Sequence, residues 1–173
     1  MSARVEENSR TPFELVRLTV LDLAAILELE RSAYAQPWTD QNFLGEFQRP
    51  FTVAIGAKSG ETLAAQCFFW LIASEAHLLN LTVALPFRRM GLARRLIAAM
   101  ASLGRNARAE KIFLEVRPSN VAAVSLYKSA GFTAEGLRPG YYEDGEDALL
   151  MTLDITNWRP GPKNHDRYNF SRR

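Results

Sequence analysis

A mixed α/β domain, with a mostly antiparallel sheet flanked by helices, is predicted by three features of this 173-residue sequence. Two apolar runs joined by Ser-Gly-Glu, FTVAIGAK (51–58) and TLAAQCFFWLIA (62–73), read as a hairpin. A strand, a long amphipathic helix and another strand then follow at 76–85, 91–108 and 111–116, the arrangement that lets two strands lie parallel. Finally, LRPGYYEDGEDALLMTLDI reads as a closing hairpin turned by Asp144-Gly145. The predicted order is β-α-α-β-β-β-α-β-α-β-β.

Each element has a local reason. FELVRLT (13–19) is the first strand, and Thr19 with Asp22 forms a capping-box-like start to a helix along which Leu23, Ile26, Leu27 and Glu30 recur at helical spacing. Thr39 is the expected N-cap of a second helix, with Trp38 at staple distance from Phe43. AHLLNLTVAL (76–85) extends the sheet until Pro86 stops it. From Gly91, the residues Leu92, Leu96, Met100, Leu103 and Ala107 line one face of the long helix, while its arginines occupy others. KIFLEV (111–116) is a strand and 120–130 a helix. There are no internal repeats and no second domain.

A hydrophobic content of 47% with 23% charged residues suits one soluble globular domain. The opening MSARVEENSR lacks the apolar stretch of a signal peptide, and Cys67, the single cysteine, lies in an apolar run, so a reducing cytoplasm is expected. No apolar run reaches the roughly 20 residues a bilayer requires. Residues 157–173 carry Arg159, Lys163, Arg167, Arg172 and Arg173 against Asp166 alone, with no apolar periodicity. They read as a basic tail outside the core, beyond a domain at 13–156 and a flexible segment at 1–12. Nothing more than a weak role in nucleic-acid contact is expected of that tail. His77 and His165 stand isolated, so no metal site is expected.

LPFRRMGLARRLI hands a strand over to a helix through small residues at 91 and 93. The first N–H groups of a helix lack intrahelical partners and, with the dipole, favour an anion. Gly91 and Ala93 permit close approach of a phosphate, and Arg88 and Arg89 add charge. The same pattern also suits an ordinary surface helix with solvated arginines, and it matches neither of the common nucleotide motifs.

In combination, LLNLTV, RRMGLA, the long helix, IFLEV and LYKSAGF, in that order over residues 13–155, resemble the GNAT acetyltransferase family. Within it, PWT (37–39), LEVRPSN (114–120), LYKSAGF (126–132) and RPGYY (138–142) are most similar to the RimI type, which acetylates the N-terminal alanine of small-subunit ribosomal protein eighteen. The resemblance implies acetyl-CoA as co-substrate. It places the pyrophosphate on Arg88, Arg89, Met90, Gly91, Leu92, Ala93 and Arg94, and the pantetheine beside Leu81, Thr82 and Val83. Ala93 stands where glycine is more usual. Glu115 is implied as general base and Tyr127 as general acid.

Acetyl transfer to an amine needs a neutral amine, a stabilised carbonyl oxygen and a proton for the departing thiolate. Asn120, Val124 and Tyr127 share a helix face, so if Asn120 touches the cofactor, Tyr127 looks the same way. Each residue also has a plainer reading: Glu115 in a surface pair with Arg117, Tyr127 in the core, Asn120 as an early helix polar residue.

At pH 7.5 an α-amine of pKa about 7.8 is about one-third neutral, against roughly 0.1% of a lysine, so a modest base suffices for protein N-termini. Trp38, Tyr141 and Tyr142 offer apolar walls for an extended terminus. Glu143, Asp144, Glu146 and Asp147 offer either attraction for a basic ribosomal protein or only a solvated turn. Small-amine or lysine acetylation stays open, as does a non-catalytic acyl-CoA-binding module.

Overall fold

The computed structural model describes residues 13–159. Its elements are β1 (Glu14–Arg17), α1 (Leu23–Ala33), α2 (Asp40–Phe47), β2 (Thr52–Ser59), β3 (Thr62–Ile72), β4 (Glu75–Val83), α3 (Leu92–Asn106), β5 (Lys111–Val116), α4 (Val121–Ala130), β6 (Thr133–Arg138) and β7 (Ala148–Asp154). The strands form one seven-stranded sheet in the order β1-β2-β3-β4-β5-β7-β6. Only β4 and β5, joined through α3, run parallel.

Local chemistry places the helices. Thr19 accepts from Leu21 N–H and exchanges with Asp22 in a capping box, starting a 3-10 turn that runs into α1. Thr39 does the same with Asn42 for α2, and the Trp38 ring sits 5.2 Å from Phe43, closing the staple. Each such cap contributes about 1 kcal/mol. The stripe of α3 packs with Ile55, Cys67, Phe69, Ile112 and Met151 on one sheet face; Ile26, Phe43, Phe68 and Leu63 fill a second core on the other.

Two expectations need correction. The closing hairpin begins earlier than predicted: β6 starts at Thr133, and residues 139–147 form the loop. Pro139 has no N–H to give, so pairing ends at Arg138 and Ala148, and Asp144-Gly145 turns only the tip, where Gly145 N–H reaches Tyr142 C=O at 2.8 Å. The tail also joins the core sooner than expected. Trp158 packs on it, donating Nε1–H to Ala130 C=O at 3.2 Å while its own carbonyl accepts from Arg105. The predicted segment 1–12 and the rest of the tail, 160–173, lie outside the described residues.

Candidate active site

The site begins with a β-bulge. Phe68 pairs with Asn80 and Phe69 with Leu78, which leaves Leu79 as the extra residue of β4. Ahead of it, Ala76 and Leu78 face the α3 core. Beyond it Leu81 and Val83 take that face, while Asn80 and Thr82 turn toward α1. The parallel pairing of β4 with β5 stops at Leu78 and Leu114, so the strands part into a wedge just past the bulge.

Backbone polarity in the wedge follows from the register. Ala84 N–H bonds to Ala64 C=O, and the ladder alternates, so Thr82 also points its main chain at β3. Leu81 and Val83 therefore turn their N–H and C=O groups into the wedge. Their carbonyls accept from Tyr34 Oη (3.1 Å) and Arg88 Nε (3.2 Å).

At the mouth of the wedge a short 3-10 turn leads into an uncapped helix. Arg89 and Gly91 both have left-handed backbones, with φ of 66° and 83°, and no side chain caps the first turn of α3. Its leading N–H groups are thus available to an anion, with Arg88 and Arg89 exposed beside them. Arg94 reaches across to Ser129 Oγ at 2.7 Å. Leu92 contributes only its backbone, because its side chain is buried in the core; Ala93 is half-buried and Met90 exposed. These features suit a nucleotide pyrophosphate followed by a chain of amides entering the wedge.

Tyr127 lies beneath the wedge on the α4 side, 8% exposed, its ring edge against Phe132 at 5.5 Å. Burial, reinforced by Tyr34, Cys67 and Tyr142 nearby, pushes its phenol pKa up. Its hydroxyl makes no hydrogen bond among the described residues, so it is a protonated donor without a partner.

Glu115 alternates with Leu114 and Val116, so it faces away from the α3 core, across the wedge from Tyr127. Its side chain is 38% exposed and meets Arg138 at 3.4 Å. The anticipated pairing with Arg117 does not form. Arg117 instead bonds Asp144 and Glu146 at 2.8 Å and lies 3.8 Å over the Tyr142 ring, holding both carboxyl groups below their usual range. The hairpin is therefore a less open acidic patch than its EDGED sequence suggested: Asp147 is engaged too, by Gly140 N–H.

Other predicted residues are placed differently from one another. Tyr141 and Tyr142 pack edge to face at 5.1 Å beside Glu115. The half-buried Trp38 ring rests on Phe43 and the second core, on the α1–α2 segment. Thr82 gives its main chain to β3 and its hydroxyl to Glu30, which leaves it nothing to offer a pantetheine. Asn120 is the N-cap of α4, where its Oδ1 accepts from Ala123 N–H.

Two polar residues were not singled out as site residues in the sequence. Tyr34, 40% exposed, closes one side of the wedge through its bond to Leu81. Glu30 is 1% exposed, yet both its oxygens are filled: Oε1 by Trp38 N–H (3.3 Å) and Asn80 Nδ2 (3.0 Å), Oε2 by Gln66 Nε2 (3.0 Å) and Thr82 Oγ1 (2.9 Å). Burial pushes its pKa up, and the four donors oppose that. A charged residue in register with Leu23, Ile26 and Leu27 was the signal for it.

The model of the acetyltransferase (GNAT) family matches residues 23–132. The chain belongs to the GNAT acetyltransferase family. It is 34% identical over 145 residues to a ribosomal protein bS18-alanine N-acetyltransferase of Escherichia coli K12, covering 80% of this chain and 95% of that one. It is 32% identical over 136 residues to a putative enzyme of the same name from Bacillus subtilis, covering 78% and 90%. The crystal structure of the E. coli ribosomal-protein-S18-alanine N-acetyltransferase superposes with a TM-score of 0.78 at 31% identity, over 87% of this chain and 98% of that one. As a GNAT enzyme the protein is an acetyl-CoA-dependent N-acetyltransferase. No group of three metal-ligating side chains occurs among the described residues, and no described helix is long and apolar enough to cross a membrane.

Proposed function

We propose that the protein acetylates a protein N-terminal α-amine in the cytoplasm, its acceptor being the N-terminal alanine of ribosomal protein bS18, through a catalytic domain that runs from residue 13 to at least Trp158. The observation that carries this reading is the wedge flanked by an unpartnered phenol and a carboxylate, in a chain spanning nearly the whole length of bS18-alanine acetyltransferases. Acetyl-CoA supplies the acetyl group as a thioester.

The chain's own residues would divide the work as follows. Glu115 takes a proton from the incoming ammonium, directly or through water. The neutral amine attacks the thioester carbon, and the N–H groups of Leu81 and Val83 bond the carbonyl oxygen as it gains charge. As the adduct collapses the new C–N bond stays, the C–S bond breaks with Tyr127 hydrogen-bonded to the sulfur, and the surplus proton on nitrogen passes to the departing thiolate or to water. The N-terminus of α3 holds the pyrophosphate. Tyr141 and Tyr142 line the acceptor side.

A peptide beginning with Ala and followed by basic residues tests the acceptor. Mass spectrometry should find the acetyl group on its α-amine, and blocking that amine should abolish turnover even with lysines present. Equal acetylation of the blocked peptide would move the enzyme to lysines.

The cradle is tested at Gly91, whose missing side chain would point into open space and whose φ is left-handed. Asn and Asp both tolerate that backbone, so they differ there in charge alone. Gly91→Asp should weaken acetyl-CoA by about tenfold or more relative to Gly91→Asn, as a carboxylate meets the pyrophosphate. Equal dissociation constants by calorimetry would remove the cradle from the reading.

A further inference from the structure

A buried ion is an expensive way to join a helix to a sheet, since apolar side chains of the same volume do it as well or better for stability. What the Glu30 carboxylate provides instead is direction, because its four donors come from β3, from the far half of β4 and from the α1–α2 segment. Two of those donors, Asn80 and Thr82, stand on either side of Leu81. Holding both fixes the rotation of β4 about its own axis at the residue whose N–H and C=O enter the wedge. Tyr34, on the same segment as Trp38, adds a second tie by bonding the Leu81 carbonyl itself. Just past the bulge no β5 partner holds the strand; the Glu30 bonds restrain it from the α1 face and the Tyr34 bond restrains it at the open edge.

We infer that Glu30 is a positioning residue for acetyl transfer: it sets the opening of the β4–β5 wedge and locks it to the α1–α2 segment, whose Tyr34 closes one side of the wedge. Glu30 touches no reacting atom. It acts through Asn80 and Thr82 on the aim of the Leu81 and Val83 N–H groups, where a displacement of about 1 Å can cost about 100-fold in rate. The inference rests on the acetyl-transfer reading above.

Glu30→Gln replaces one acceptor oxygen by an amide that meets donors whichever way it turns. Per folded molecule, kcat should fall about 30-fold or more, while the acetyl-CoA dissociation constant, set largely at residues 88–94, moves less than about threefold. Amide exchange at 80–84 should quicken. Thr82→Val removes one donor at nearly constant shape and should cost about fivefold. The double variant should lose less than the product of the two, because Thr82 acts through Glu30.

A purely structural Glu30 would lower the melting temperature and leave kcat per folded molecule within about twofold of wild type; that result overturns the inference. So does a fall in kcat with unchanged exchange at 80–84. Should Glu30→Gln not fold, Thr82→Val decides on the same two readouts. If the wild-type enzyme does not turn over the Ala peptide, the acceptor reading has failed, and amide exchange alone decides the role of Glu30: unchanged exchange overturns it.

Discussion

Tyr127→Phe should lower kcat by about a hundredfold or more while leaving acetyl-CoA affinity nearly unchanged. The ring of Tyr127 is what packs against Phe132, and Phe keeps it, so the fold and the cofactor side of the wedge should survive. What disappears is one hydroxyl that has no hydrogen-bond partner among the described residues. That oxygen is not among the fully buried unpaired polar atoms of the described residues, so its removal should leave stability close to that of wild type. The raised pKa of Tyr127 bears on how the hydroxyl acts. Full proton transfer from a phenol, of ordinary pKa about 10, to a thiolate of about 8.5 is already uphill, and burial makes it more so. The hydrogen bond to the sulfur as charge develops is therefore the main contribution, and the proton stays on oxygen at every physiological pH. The rate should accordingly show no alkaline limb from Tyr127 below about pH 10. Stopped-flow turnover alongside thermal melting checks both halves: unchanged kcat with altered stability would make Tyr127 a core residue.

What the sequence made legible was chemistry that works over a few residues. Thr19 and Thr39 cap helices because a hydroxyl before an apolar stripe has few other uses, and the spacing of Trp38 to Phe43 already described a staple. The wedge was less visible. LLNLTV contains no glycine or proline to mark the bulge at Leu79, and only the register against Phe68 and Phe69 reveals it. Arg117 was matched to its neighbour two residues back, whereas a loop 27 residues away supplied two carboxylates and an aromatic face. Glu30 is the instructive case: it was read only as part of a helix stripe, yet a charged residue at the period of an apolar face needs polar partners across the core.

Glu115→Gln should show a loss of activity that depends on pH in a definite direction. At pH 6 an α-amine of pKa about 7.8 is about 2% neutral, and at pH 9 it is about 94% neutral. A base that removes the ammonium proton matters most in the first condition and little in the second. The expected deficit in kcat/KM is therefore about 100-fold at pH 6, shrinking to below about tenfold at pH 9. The pair with Arg138 does not oppose this, because it is half-exposed on both sides, and such pairs contribute little to stability. The fold of Glu115→Gln should thus be intact, and Arg138 should remain over the Tyr141 ring, 4.9 Å from its centroid. A parallel measurement with Arg138→Ala separates the two roles. If Glu115 is the base, removing Arg138 should leave the pH profile in place, changing rates by only a few-fold. A deficit in Glu115→Gln that stays flat from pH 6 to 9, matched in size by Arg138→Ala, would reduce the carboxylate to a partner of that arginine.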